Sequence, residues 1–174
     1  MRHAIIKLHC PRCGTPFVRV TRHQGALAQV LNCVKIFPFR CQLCTEQFHA
    51  FWSSSPNGTQ SLDRRQFRRL PASFRAHVFT DKALRWRPRV TDISMAGCTI
   101  EASPALPSGT FLELVIKPAS EQHKITIRTA MVCTTRPASM GVRFLEFEGC
   151  EKTRLSQVVL NLLVGQNLHS SGYS

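Results

Sequence analysis

The chain has 174 residues, with 23 Lys plus Arg against 10 Asp plus Glu, a net charge of +13 and a pI near 10.2. Apolar residues are 43% and charged residues 19%, which excludes a disordered polyelectrolyte and allows one ordinary domain with a small appendage. The charge calls for anionic partners, and nucleic acid, nucleotide phosphate and an acidic membrane surface all qualify.

The N-terminus lacks the pattern of a signal peptide, because Ala4, Ile5 and Ile6 run into Lys7 and His9. The longest apolar stretch, Val158 to Val164, is broken by Asn161 and too short to cross a bilayer. A cytoplasmic location is therefore expected, with no membrane span. There, eight cysteines should be reduced and serve as metal ligands or core.

Residues 1–52 form a cysteine-rich head with 7 basic and 1 acidic side chains up to residue 60. Cys10-Pro-Arg-Cys13 and Cys41-Gln-Leu-Cys44 are two CxxC pairs. Each pair can turn two thiolates inward from a tight knuckle, and two knuckles supply the four soft ligands of structural zinc. A head this thin also needs metal binding to supply folding free energy. Buried small hydrophobes and a redox CxxC are the other readings. Gly14 suits the positive φ that follows such a knuckle, and Thr45 suits it less well. His9 and His49 are near enough in sequence to replace a thiolate. Cys33, Cys98, Cys133 and Cys150 lack partners at ligand spacing and are expected in cores. Leu27, Val30, Leu31 and Val34 predict a short helix, with Phe37, Phe39, Phe48, Phe51 and Trp52 packed around the metal. The head resembles a zinc ribbon.

The run from Ser53 to Ser61, SSSPNGTQS, reads as a linker over 53–61. The body, 62–165, reads as strands: Phe74–Phe79, Trp86–Ile93, Cys98–Ala102, Phe111–Lys117, and alternating segments around Ile125, Ile127, Val142 and Phe144. The turn at Pro104 to Gly109 separates two of them. About six short antiparallel strands imply a small barrel. Leu155, Val158, Val159, Leu162 and Leu163 recur at helical spacing, with Gly165 as the stop and 166–174 as a tail. The fold class is thus mainly β: a six-stranded antiparallel barrel with a C-terminal helix, preceded by a small four-cysteine zinc ribbon.

At the start of the body stands Arg64-Arg65-Gln66-Phe67-Arg68-Arg69, by itself a solvated surface or a generic nucleic-acid patch. Further on comes Asp92-Ile93-Ser94-Met95-Ala96-Gly97, by itself a plain hairpin turn. In combination they resemble the PilZ family of cyclic di-GMP receptors, whose paired signatures are RxxxR and (D/N)x(S/A)xxG. The resemblance spans 62 to about 165 and includes Gly141-Val142-Arg143-Phe144, similar to the family's closing-strand GVxF. It implies ligand contacts from Arg64, Arg65, Arg69, Asp92, Ser94 and Gly97.

The chemistry agrees with that set. An Arg fork matches guanine O6 and N7, grips phosphate with charge assistance and stacks on purines. Asp92 can accept guanine N1 and N2 protons, Ser94 can bond phosphate, and Gly97 permits a tight turn. Arg64/Arg68 and Arg65/Arg69 both satisfy RxxxR; the second register matches the family's RRxxxR form. In the family, an arginine in the place of Arg64 goes with an intercalated ligand pair, which implies two cyclic di-GMP per chain. No hydrolase, Walker A or zinc-protease motif is present, so no enzyme is expected.

Three functions remain open. The first is a bacterial second-messenger receptor that rearranges ribbon and barrel and acts on a protein partner. The second is a nucleic-acid regulator whose ribbon contacts phosphates through Arg12, Arg19, Arg22 and Arg40. The third is an adaptor that only binds protein.

Overall fold

A computed structural model describes residues 8–21, 34–52, 65–81, 83–101, 105–118 and 124–170. Two units compose it, Met1–Arg68 and Arg69–Ser174.

In the first unit β1 (Val18–Val20), β2 (Ile36–Cys41) and β3 (Gln47–Phe51) form an antiparallel sheet in the order β1-β2-β3. Val18 pairs with Cys41 and Phe39 with Phe48, so β2 is central and delivers Cys41 at its end. Phe39 is buried and packs on Phe48 and Trp52, with ring centroids 5.9 Å apart in both pairs. Phe51, expected beside the metal, is instead 61% exposed. Strand alternation explains this, since its neighbours in β3 take the covered face. Three residues of the predicted helix, Leu27, Val30 and Leu31, lie outside the described residues, as does Cys33.

In the second unit seven strand segments build a six-stranded barrel. They are β4 (Leu70–Thr80), β5 (Ala83–Trp86), β6 (Arg89–Ser94), β7 (Gly97–Glu101), β8 (Phe111–Lys117), β9 (Ile125–Arg136) and β10 (Ser139–Phe147). The ring runs β4-β6-β7-β10-β9-β8 and returns to β4, an antiparallel six-stranded barrel. β5 and β6 lie along the same edge of β4 and amount to one strand interrupted at Arg87 and Pro88. The expected strand Trp86–Ile93 runs across this interruption. Pro88 has no N–H to give, but its carbonyl still accepts from Ala76 N at 2.9 Å, so the edge stays closed. Leu70, Val78, Val90, Ile93, Ile100, Leu114, Ile116, Ile125, Ile127 and Val132 fill the interior.

Helix α1 (Glu151–Ser170) packs on β4 and β9 through Leu155, Val158, Val159 and Leu163. It runs past Gly165, the expected stop, which is not among the glycines with positive φ. A glycine ends a helix by turning left-handed, and one that keeps helical torsions only weakens it. The helix also covers the start of β9, where Ile125, Thr126 and Ile127 are all buried and the expected alternation is lost. Glu151 seals that junction, its carboxylate accepting from Thr126 N at 3.3 Å. Among the remaining cysteines Cys98 is in the core as expected, whereas Cys133 is half-buried and Cys150 exposed. Cys150 lies in the turn before α1, where the chain is at the surface.

Candidate functional site

The two CxxC segments fold as twin turns. Cys10 N donates to Thr15 O and Cys41 N to Glu46 O, each at 2.9 Å, so both knuckles close over the same span. Gly14 (φ 69°) and Thr45 (φ 66°) occupy equivalent left-handed positions. Glycine meets that demand freely, while a β-branched residue there is strained by roughly 1–2 kcal/mol. An Arg12–Glu46 ion pair of 3.2 Å joins the two knuckles at the surface.

The folded knuckles bring Cys10, Cys13, Cys41 and Cys44 together, all four sulfurs lying within 4.8 Å of one another. The Cys10–Cys44 and Cys13–Cys41 sulfurs are 3.5 and 3.6 Å apart. A disulfide would need about 2.05 Å. A tetrahedral ion with Zn–S near 2.3 Å needs sulfurs roughly 3.8 Å apart. The set therefore fits a thiolate-bound metal, and the exposed His9 and His49 stand outside it. Burial pushes the Cys41 and Cys44 thiols up. At Cys10 burial also pushes upward, but hydrogen bonds from the Cys13 and Arg12 backbone outweigh it and hold the thiol at about 7. A bound cation replaces the protons of such clustered thiols, which then hold it as thiolates.

Gln42, inside the second knuckle, is 6% exposed and spends its side chain on the arginine segment. Its amide NH2 donates to Gln66 O at 3.1 Å and its carbonyl accepts from Arg68 N at 2.7 Å. The Arg40 guanidinium stands over the Phe67 ring, 5.5 Å from its centroid. Residues 66–68 are thus fastened to the knuckle by three side-chain contacts. Sequence reasoning missed Gln42, because a Gln inside CxxC carries no signal of what it reaches. Arg12 and Arg40, two of the four arginines expected to meet phosphate, are engaged within this unit.

In the barrel unit, Arg69 precedes β4 by one residue. Its Nη1 donates to Thr99 Oγ1 at 2.8 Å and lies 3.5 Å from Asp92 Oδ1. Both the Arg69 and Asp92 side chains are part-exposed, 37% and 27%. The pair therefore adds little to stability but leaves a donor fork and a carboxylate at one accessible spot. Thr99 was not anticipated, though it was readable: a two-residue turn at Met95-Ala96 pairs Ser94 with Gly97 and so Asp92 with Thr99.

Ser94 serves the turn itself. Its Oγ donates to Gly97 O at 3.1 Å and accepts from Ala96 N at 3.4 Å, and the residue is 5% exposed. Gly97 was expected for backbone freedom, yet it lies in β7 without positive φ. Close approach is the reason: a Cβ there would sit 2.1 Å from Val142 O and 3.2 Å from Arg143 Cα. Both partners are backbone, so Gly97→Ala must part β7 from β10. We expect a loss of about 3 kcal/mol, seen as a melting temperature lowered by more than about 10 °C. Arg65 belongs to the first unit and Arg64 lies outside the described residues. The motif Arg65-x-x-x-Arg69 thus spans the point where one unit gives way to the other.

Fold and site together define a small β-barrel with an arginine–carboxylate clamp on its surface, preceded by a four-cysteine unit suited to metal. The PilZ domain model matches residues 63–161, more than half of the chain, and the chain belongs to the PilZ domain family. No curated protein matches by sequence. Among solved structures, Escherichia coli YcgR in complex with c-di-GMP aligns at TM-score 0.54 and 13% identity, over 86% of this chain and 76% of that one. The isolated PilZ domain of YcgR with c-di-GMP aligns at 0.51 and 16%, over 63% and 99%. Bacillus subtilis inhibitor of motility (MotI/DgrA) aligns at 0.51 and 17%, over 75% and 68%. Identities this low speak to fold. No described helix is long and apolar enough to cross a membrane.

Proposed function

We propose that this chain is a non-catalytic cyclic di-GMP receptor in which a zinc ribbon presents part of the ligand-binding segment. Arg69, held between Asp92 and Thr99 at the mouth of β4, carries the reading: it is the motif's second arginine, set beside the carboxylate that would accept guanine N1 and N2 protons. Membership of the PilZ family and the cyclic di-GMP in the YcgR structures support it. Arg64 and Arg65 supply the further forks, for phosphate and the second guanine. Ser94 and Gly97 act by shaping the turn that displays Asp92. The clamp offers hydrogen-bond donors and one carboxylate, with no nucleophile poised against a base, which suits binding without chemistry.

Zn2+ on Cys10, Cys13, Cys41 and Cys44 is the cofactor that the donor set suits best. With all four positions filled by thiolates its role is structural. Through Gln42 the ribbon holds Gln66 and Arg68, so a dinucleotide that draws Arg65 and Arg69 to itself must act on the segment joining ribbon and barrel. That is how ligand capture would change their arrangement for a protein partner, in the cytoplasm of a bacterium. A nucleic-acid role for the ribbon is weaker, since Arg12 and Arg40 are already engaged.

Calorimetric titration of the full chain tests the receptor reading. We expect micromolar or tighter binding with two cyclic di-GMP per chain, as an intercalated pair, and metal analysis finding about one zinc. No heat at micromolar concentration defeats the receptor; a stoichiometry of one defeats the intercalated pair.

A further inference from the structure

On the outer face of the barrel, a second basic feature is separate from the clamp. Lys117 (β8) is the direct cross-strand partner of Arg75 (β4), and Arg75 is in turn the partner of Arg89 (β6). Three cations thus stand in register across three adjacent strands, at about 4.8 Å per strand. Like charges directly opposite one another destabilise a sheet. Arg75 and Lys117 make no side-chain hydrogen bond or ion pair among the described residues, and Arg89 bonds only the neutral Ser73 Oγ at 3.3 Å. The row forms the floor of a cleft of about 640 Å³ that His77, Arg87, Pro88 and Glu101 complete. Partial burial, then the charges of Lys117 and Arg87, hold His77 below its usual value. It therefore stays a neutral imidazole near pH 7, able to accept or donate a single hydrogen bond without adding to the repulsion.

A sheet that sets a row of cations inside a concavity, with Glu101 as the single carboxylate of the lining, is arranged for an anion with several charges. Arginine forks engage phosphate oxygens bidentately, and the lysine adds a point charge. The volume falls in the range of nucleotide-sized sites, roughly 300–1,000 Å³. Glu101 is two residues beyond Thr99 and Arg89 three before Asp92, so cleft and clamp are offset along the same strands by roughly 7–10 Å.

We propose that this cleft is a second anion site, distinct from the Arg69–Asp92 clamp, which takes clustered phosphates through Arg75, Arg87, Arg89 and Lys117. Such phosphates belong either to a free nucleotide polyphosphate or to a nucleic-acid backbone. Because the cleft opens to solvent, binding should weaken steeply as salt rises above about 50 mM.

The test titrates inorganic tripolyphosphate onto the full chain at low salt, comparing wild type, the Arg75→Ser/Arg89→Ser/Lys117→Gln variant and Arg69→Ala. The proposal expects wild-type binding that the triple variant weakens by about tenfold or more and Arg69→Ala changes by less than about twofold. It is overturned by unchanged binding in the triple variant, or by an equal loss in Arg69→Ala, which would put the anion in the clamp. Cyclic di-GMP titrated onto the triple variant should bind as to wild type, which also certifies its fold. A parallel comparison of ATP with a single-stranded oligonucleotide separates the two sources, and binding of neither above the tripolyphosphate background counts against the site. If wild type bound tripolyphosphate but no cyclic di-GMP, the receptor reading would fail while the cleft stood.

Discussion

Arg69→Ala is expected to weaken cyclic di-GMP binding by about a hundredfold or more while leaving the melting temperature within about 2 °C of wild type. The two halves of that expectation have separate causes. The Arg69 side chain is 37% exposed, and its ion pair with Asp92, at 3.5 Å, is a surface pair of small worth. Its loss leaves Thr99 and Asp92 open to water, which satisfies both. For the ligand, however, the guanidinium is the group that can meet guanine O6 and N7, or a phosphate, with two parallel hydrogen bonds at once. Water cannot restore that geometry. Arg69→Lys should recover only a small part of the affinity, because an ammonium keeps the charge and loses the fork. Calorimetry and thermal melts on the same three proteins decide it. A lysine variant with near-wild-type affinity would show that charge alone is at work, and the clamp would lose its selectivity for guanine.

Stripping the metal is the second large perturbation. A chelator strong enough to remove a four-thiolate ion should unfold the ribbon, since so thin a core depends on the ion for folding free energy. The barrel, with its own interior of Leu, Ile and Val, should survive and retain its melting transition. Cyclic di-GMP affinity should nevertheless fall by about tenfold. The reason is Gln42. Its amide makes one hydrogen bond to Gln66 O and another to Arg68 N, and these order the backbone between the two motif arginines. Each such bond is worth about 1 kcal/mol, and the segment pays for its ordering on binding once they are gone. Gln42→Ala should reproduce most of the affinity loss with zinc still bound, which separates the latch from the integrity of the ribbon. Full affinity in both the stripped protein and Gln42→Ala would break the link between metal and ligand segment.

Much of this molecule was legible before any coordinates. CxxC spacing constrains two thiolates to one turn, so four ligands could be named from the chain alone, and the structure brings those four together. The barrel was legible because strand alternation and turn residues are local signals, and β8 was bounded to the residue. Where the reading slipped, a neighbour distant in sequence had intervened. The alternation around Ile125 and Ile127 predicts a half-buried strand, but α1 covers that part of β9 and Thr126 is buried with them. Gly97 was read as a turn glycine, although the demand on it comes from the backbone of β10, some 45 residues further on. Gly165 was read as a stop by its residue type, while the helix around it simply continues.

What the sequence alone determined is the inventory of local chemistry: four thiols at ligand spacing, a run of arginines, and a turn that offers Asp92. Those are consequences of bond lengths, turn geometry and side-chain chemistry, which act over a few residues. What only the tertiary structure decided is which groups meet. Closure of β8 onto β4 put Lys117 beside Arg75, the pairing of β4 with β6 brought Arg69 to the Asp92–Thr99 pair, and folding of the second knuckle put Gln42 against Gln66 and Arg68. Contacts of that kind depend on strand pairing and chain reversal across tens of residues, and no local pattern records them.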